Sequence, residues 1–506
     1  MCRKSGLKKF VRTVSPLYKL PCRKTVTSLI ENRYNTTKSI LIKRIDEADF
    51  VSFTSDILTI TNSTRSFLVL TVHFIDSTKG NNSTSLQSIN LCAQKLSQSH
   101  TAEYIKEIWN GICEEFEIDK SKIVSISTDG GANMVAAVRL FLGNDYRIPC
   151  MAHSLNLIVD GVLREVHAFS ALCDHVKSIV TFFKQSVNAS DQLRAEQIAS
   201  GKKEGEALTL IQAVSTRWNS CLDMLVRFVE LSALVAKILA TKSQTNKNTP
   251  DMVATSQLNI IRDLIKLLGP FKEATEEISG AHYVTSSLVI PVSNLLRQAV
   301  DQSTPSTSLG ETVRMALLEK IDQKLASLET NTYLSAATIL DPRFKRIHFT
   351  SPRAVSNSIS KISNDIRSEH RRRGQRSPDP RPVQGEVETS ASSIWCRHEK
   401  LINLSSNRVE IPSSGCVPNE LKQYLDQPIL ERKSDPIEFW VNCRHFTPVL
   451  AEIALKYLIC QGSSVSSERL ASAVNLTVPN NRSRLTGEHI KERVLLMSIS
   501  DEYWFE

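Results

Sequence analysis

The sequence predicts an α/β core joined to a large all-α part, on three observations. Strand-like runs of β-branched and aromatic residues cluster between about residues 50 and 150. From about 165 to 365, apolar residues recur at helical spacing with no strand-rich stretch among them. The 506 residues, 41% hydrophobic, are enough for roughly two to four domains with sizeable cores.

Residues 1–45 form a basic N-terminal segment in which Val26, Leu29, Ile30, Leu41, Ile42 and Ile45 predict a helix pair. Three strands follow, in "FVSFTSDILTI", "SFLVLTVHFID" and "TSLQSINLC", the last two separated by "STKGNNS", whose Gly and Asn suit a hairpin loop. Next come a helix at about 101–117, the strand "KIVSISTD", a helix at about 131–142, the strand "YRIPCMAH" and a helix from about 154. Antiparallel strands followed by alternating strand and helix predict a core of ribonuclease H type, whose first part is residues 46–165. Residues 166–366 are expected to be a helical domain; Ile260, Ile261, Leu264, Leu267, Leu268 and Phe271 sample one buried face. Residues 367–430 begin with an Arg-, Pro- and Ser-rich stretch poor in apolar residues, expected to be a largely disordered linker. In 431–506, Asp435 caps a helix with Pro436 at its first position, and Leu450, Ile453, Ala454, Tyr457 and Leu458 form a stripe. A last helix from about 487, capped by Thr486, places Ile490, Val494 and Met497 on one face. These helices must pack against the core or a second chain.

The formal charge of +9 is modest for this length, and part of it is concentrated in "RKSGLKK" with Arg12 and in "RSEHRRRGQR". Such clusters contact phosphates or serve as nuclear localisation signals, and each reads equally as solvated linker charge. Eleven cysteines without a CxxC predict reduced thiols in an intracellular compartment. No apolar run approaches the ~20 residues of a membrane-spanning helix, and "MCRKSGLKKFVRTV" is read as lacking a signal-peptide core.

Two acids occupy similar places. Asp56 interrupts an apolar strand among Phe53, Ile57, Leu58 and Ile60, where Asp is disfavoured, and Asp129 ends "SISTD" before two glycines. Side by side, the strands would bring both carboxylates to one edge, where they could hold divalent metal ions. An Asp after a strand is also an ordinary turn or cap residue. Glu468 in "SSVSSERLASAV" stands out among the remaining acids. Cys150 and His153 have ligand-like spacing, but two ligands do not make a zinc site, and a packed Cys beside a hydrogen-bonded His explains them as well. Trp218 in "STRWN" reads as base-stacking or packing.

Six blocks in order resemble the hAT superfamily of DNA transposases and the transposase-derived zinc finger BED proteins. They are "YKLPCRKT" leading to "FVSFTSDILT", "STDGGANMVAAVRL", "IPCMAHSLNLIV", "STRWNSCLDML", "LDPRFK", and the C-terminal "SSVSSERLASAVNLTVPNNRSRLTGEHIKERVLLM". The resemblance implies a ribonuclease H-like core interrupted by a helical insertion, with a C-terminal dimerisation region. It implies an acidic triad at Asp56, Asp129 and Glu468, supported by Cys150, His153 and Trp218, with Arg469 beside the third acid to neutralise phosphate. In active relatives Mg²⁺ or Mn²⁺ serves DNA cleavage and strand transfer; zinc would enter only through a BED finger, expected to be absent here. Ile57 and Leu58 stand where relatives often carry Gly and Trp, Gly130 and Gly131 where they carry Asn and Ala, and Ala213 and Leu470 also depart from the pattern. The expectation is a nuclear homodimer that binds DNA or chromatin as a transcriptional regulator, transposition lost. The alternative is an active metal-dependent transposase.

Overall fold

In the computed structural model, residues 5–60, 65–76, 85–214, 218–244, 249–280, 283–374, 417–470, 474, 485–499 and 503 are described. The predicted hairpin loop at 77–83, most of the expected linker (375–416) and Ser215–Arg217 of "STRWN" lie outside them.

Five strands form one mixed sheet: β1 (Val51–Ile60), β2 (Arg65–Asp76), β3 (Ser85–Leu96), β4 (Ile123–Thr128) and β5 (Arg147–Pro149), in the order β3-β2-β1-β4-β5. β1, β2 and β3 pair antiparallel, whereas β1–β4 and β4–β5 are parallel. The parallel pairs need crossovers, which α3 (Ala102–Glu115) and α4 (Ala132–Phe141) supply. Alternation along β2 sends Leu68, Leu70, Val72 and Phe74 into a core with Trp109 and Phe116, and Phe67 and Val69 into a smaller cluster on the opposite face.

The predicted helix pair is a single helix, α2 (Arg23–Glu47). Its polar middle contributes Tyr34 and Thr37 to the same buried stripe as Leu41, Arg44 and Ile45, so nothing breaks it. The stripe is anchored at both ends: Tyr34 donates to Glu115 at 2.9 Å, and Arg44 pairs with the buried Asp76 at 2.7 Å. The strand expected in "YRIPCMAH" stops at Pro149, because Cys150 caps α5 (Met151–Glu165) and Met151–His153 are already helical.

A helical block continues through α6 (His167–Gln185), α7 (Val187–Ala199), α8 (Trp218–Ser243), α9 (Thr255–Ile278), α10 (Val289–Asp301), α11 (Ser308–Leu325), α12 (Thr332–Leu340) and α13 (Pro352–Arg372). In α9, Ile261, Leu264, Leu267, Leu268 and Phe271 are buried as expected, while Ile260 is partly buried. α13 runs on to Arg372, into the stretch read as linker, because its face of Val355, Ile359, Ile362 and Ile366 continues to buried His370, whose Nε2 meets Glu420 at 2.9 Å.

The C-terminal part contains α14 (Asn419–Asp426), α15 (Pro436–Cys443), α16 (Pro448–Leu458), α17 (Val465–Glu468) and α18 (Gly487–Ser498). The "LDPRFK" block is the latch for its first helices. Buried Asp341 takes a forked contact from Arg343 (2.9 and 2.7 Å) and a hydrogen bond from Ser287 at 2.6 Å. Lys345 donates to the carbonyls of Tyr424 and Gln427 at the end of α14, and Trp440 Nε1 donates to Leu340 O at 2.7 Å. Asp435 caps α15 as expected, and the predicted stripe of α16 is buried against the core. In α18, Thr486 is the cap and Ile490 and Val494 are buried, but Met497 is 52% exposed; the buried face is completed by Lys491, Leu495 and Leu496. The Lys491 ammonium stays inside because it bonds Glu115.

Candidate functional site: an acidic edge of the sheet

The last paired positions of β1 and β4 are Thr54 and Ser127. Asp56 and Asp129 therefore stand equally far beyond them, at one level on neighbouring strands. Both are partly buried. Each carboxylate is braced by its own backbone: Asp56 Oδ1 accepts from Ile57 N at 2.9 Å, and Asp129 Oδ1 accepts from Gly131 N at 3.1 Å. The second contact is the Asx turn that an Asp after a strand commonly makes, and Gly131, not Asp129, caps α4. A Cβ at Gly131 would meet Asp129 Oδ1 at 3.2 Å, so the glycine keeps this turn tight.

The chain returns to this edge after the helical block. Between α16 and α17 a segment of turns and bends is tied to the sheet by hydrogen bonds. Ser125 Oγ donates to Cys460 Sγ at 3.1 Å, Ser127 Oγ to Gln461 O at 2.5 Å, and Met151 N to Gly462 O at 3.0 Å. Ser467 Oγ donates to Thr54 O at 3.0 Å and lies 3.0 and 3.2 Å from the hydroxyls of Thr54 and Thr71. The residue before Glu468 is thus fastened to β1 two positions ahead of Asp56. The side chain of Glu468 itself lies outside the described atoms.

Cys150 is buried, and its sulfur accepts from His153 N at 3.4 Å and Ser464 N at 3.3 Å. It joins the start of α5 to the returning segment, and His153 contributes its backbone to that cap. Trp218 sits away from the sheet, 7% exposed, packed edge-on against Phe271 at 6.1 Å; packing accounts for it. Arg469 donates to Ser279 O at 2.6 Å, beyond the end of α9.

Two features escaped the sequence reading. Arg147, the first residue of β5, donates to Asp129 O at 2.6 Å and to Thr128 Oγ1 at 3.1 Å, placing a cation beside the second acid. His73 lies fully buried in β2, its Nε2 3.0 Å from Thr54 Oγ1 and its Nδ1 2.8 Å from Ser88 Oγ. Burial pushes His73 down to about 3, so it is neutral and serves as a polar bridge from β3 through β1 to Ser467. Only the pairing of strands could have revealed either contact.

A family profile described as the hAT family C-terminal dimerisation region matches residues 420–498, and one described as the ZBED1 RNase-like helical domain matches residues 148–264. The chain is 23% identical to human "Zinc finger BED domain-containing protein 4" over 97% of its own length and 41% of that protein. It is 23% identical to "Putative AC transposase" of Zea mays, with 95% of this chain and 61% of that protein covered. With "Putative transcriptional regulator tpeD" of Talaromyces stipitatus the figures are 24%, 94% and 57%. The chain thus spans about two fifths to three fifths of the length of these relatives. It carries matches to a hAT dimerisation region and a ZBED-type helical domain, and its homologues are hAT transposases and zinc finger BED proteins.

Proposed function

We propose that this chain is a nuclear, transposase-derived protein that self-associates through its C-terminal region and holds DNA or chromatin as a regulator of transcription, with transposition lost. Its body is an RNase H-like core: three antiparallel strands continued by two parallel ones support this, as does the return of residues 460–468 to the sheet after the helical block. The observation that carries the regulatory reading is the setting of Asp56. The acid is kept, but Ile57 packs into the main apolar cluster of the sheet and Leu58 into the cluster on its other face. Neighbouring groups orient metal ligands, and at positions 57 and 58 the neighbours of this acid are committed to apolar packing. A fungal relative's designation as a transcriptional regulator points the same way.

For DNA, the N-terminal basic run is the better surface. Lys8, Lys9 and Arg12 are exposed on α1 (Ser5–Val14), whereas Arg372 and Arg373 of the second run pair with Glu369, and Arg373 also with Glu452. Light scattering of the full chain is expected to give a dimer mass, and DNA affinity is expected to fall steeply with salt. Monomers at micromolar concentration, or no DNA binding at low salt, would sink this reading.

The shared level of Asp56 and Asp129 favours a second reading, an active transposase. Two carboxylates at one level, Asp56 within β1 and Asp129 just past the end of β4, offer the hard oxygen donors that Mg²⁺ or Mn²⁺ takes, and both would hold the ion with Glu468 as third ligand. Such an ion supplies activation of the attacking oxygen and stabilisation of the leaving one. This reading expects Mn²⁺-dependent nicking of DNA that is lost in Asp56→Ala, Asp129→Ala and Glu468→Ala. No nicking by the unaltered chain, or nicking indifferent to all three changes, excludes it.

A further inference from the structure

Two thiols meet in the helical block, away from the acidic edge. Cys173 on α6 and Cys221 in the first turn of α8 place their sulfur atoms 3.7 Å apart. Cys173 is 7% exposed, and Cys221 is partly exposed, so an oxidant from solvent reaches Cys221 first.

The two sulfurs share one S–H···S contact, donated by Cys221 to Cys173 Sγ while both are thiols; once Cys221 ionises, the Cys173 thiol donates instead, which lowers the Cys221 pKa. Cys22, exposed at the start of α2, also has a lowered pKa, but its sulfur is bonded to Thr25 rather than to a second thiol. Burial pushes the thiols of Cys92, Cys113 and Cys460 up to about 12, and the Cys150 sulfur is occupied by two backbone N–H groups.

We propose that Cys173 and Cys221 form a redox modification site that closes to a disulfide on reaction with hydrogen peroxide. The Cys221 thiolate attacks the O–O bond; an S–O bond forms, and the departing hydroxide takes a proton to become water. The Cys173 sulfur then attacks the sulfenic acid, the S–S bond forms, the S–O bond breaks and a second water leaves with the Cys173 proton. Two thiols lose two electrons, and one peroxide becomes two waters. Closing the gap from 3.7 Å to a bond of ~2.05 Å requires side-chain rotation between helices already packed together. The product would staple α6 to α8 without involving the acid pair, so the site stands whether the chain is a regulator or a transposase.

The test uses the full chain, reduced, freed of reductant, exposed to hydrogen peroxide, alkylated and digested without reduction. Mass spectrometry is expected to find the Cys173 and Cys221 peptides joined, lighter by two hydrogens than the reduced pair and separated again by a thiol reductant. Cys173→Ser should leave Cys221 as a sulfenic acid trapped by a dimedone-type reagent, and Cys221→Ser should leave Cys173 alkylated. Circular dichroism checks that each variant folds, and the unaltered chain's peptide map decides if one does not. Alkylation of both cysteines after peroxide treatment, or a bridge from Cys221 to another cysteine, would overturn the proposal.

Discussion

The returning segment of residues 460–467 and the helical block from α6 to α13 are both buried, but by opposite means. The block is held by interdigitated apolar faces, such as Phe271 against Trp218. The segment is held by single directional bonds, from Ser125, Ser127, Met151, Cys150 and Thr54 to successive residues of one strand of chain. Apolar packing rewards volume and tolerates exchange of shape, whereas a hydrogen-bonded seam rewards one register only. The register matters here because it decides where Glu468 falls relative to Asp56.

The sharpest way to test the apolar half is Phe271→Ala. It should cost about 3–5 kcal/mol in denaturant unfolding, since it empties a large buried volume. A cost under ~1 kcal/mol would mean that the block is not filled as described.

The seam is tested by Gly462→Ala. A Cβ there would meet Val289 Cγ2 at 2.5 Å and Thr285 O at 2.8 Å, and the second contact is backbone that cannot rotate away. The expected loss is about 1–3 kcal/mol. Unchanged stability would show that the segment has room to slide. Ser467→Ala should cost about 1–2 kcal/mol by removing the donor to Thr54 O, with protease access to residues 465–470 as a second measure.

Acid titration separates the two regions through His73. Its folded pKa is about 3 against an ordinary 6.5, so between those values the unfolded chain binds the extra proton. Stability from this group is complete above pH ~6.5 and is lost as pH falls toward ~3, at no more than about 1.4 kcal/mol per pH unit. His73→Gln should remove that part of the acid slope, and an unaltered slope would show that His73 is not the buried neutral group. At the small end, Leu267→Met keeps volume in the apolar block and should cost less than about 1.5 kcal/mol. A larger cost would place the helical block under the same exacting register as the seam.

The elements were largely legible because their signals are local. β1, β2, β4, α3 and α4 follow from strand and helix patterns, and α15 and α18 from the caps Asp435 and Thr486. The single helix α2 was not legible, since the polarity of "ENRYNTTK" hides a stripe whose partners, Glu115 and Asp76, are far along the chain. For the same reason the helical run through Arg372 looked like linker until Glu420 supplied a partner for His370. At the site, the two aspartates stood out as carboxylates in a strand setting. Arg147 and His73 carried no such mark, and neither did the bond from Arg469 to Ser279 O.

By itself, the sequence determined most of the strands and helices and singled out two acids in strand settings, because side-chain period, caps and turn residues act within a few positions along the chain. Only the tertiary structure decided that Asp56 and Asp129 share a level, that the segment before Glu468 is tied to Thr54, and that "LDPRFK" is a latch. Those facts depend on strand register and on hydrogen bonds between residues hundreds of positions apart, and no local pattern encodes a partner that distant.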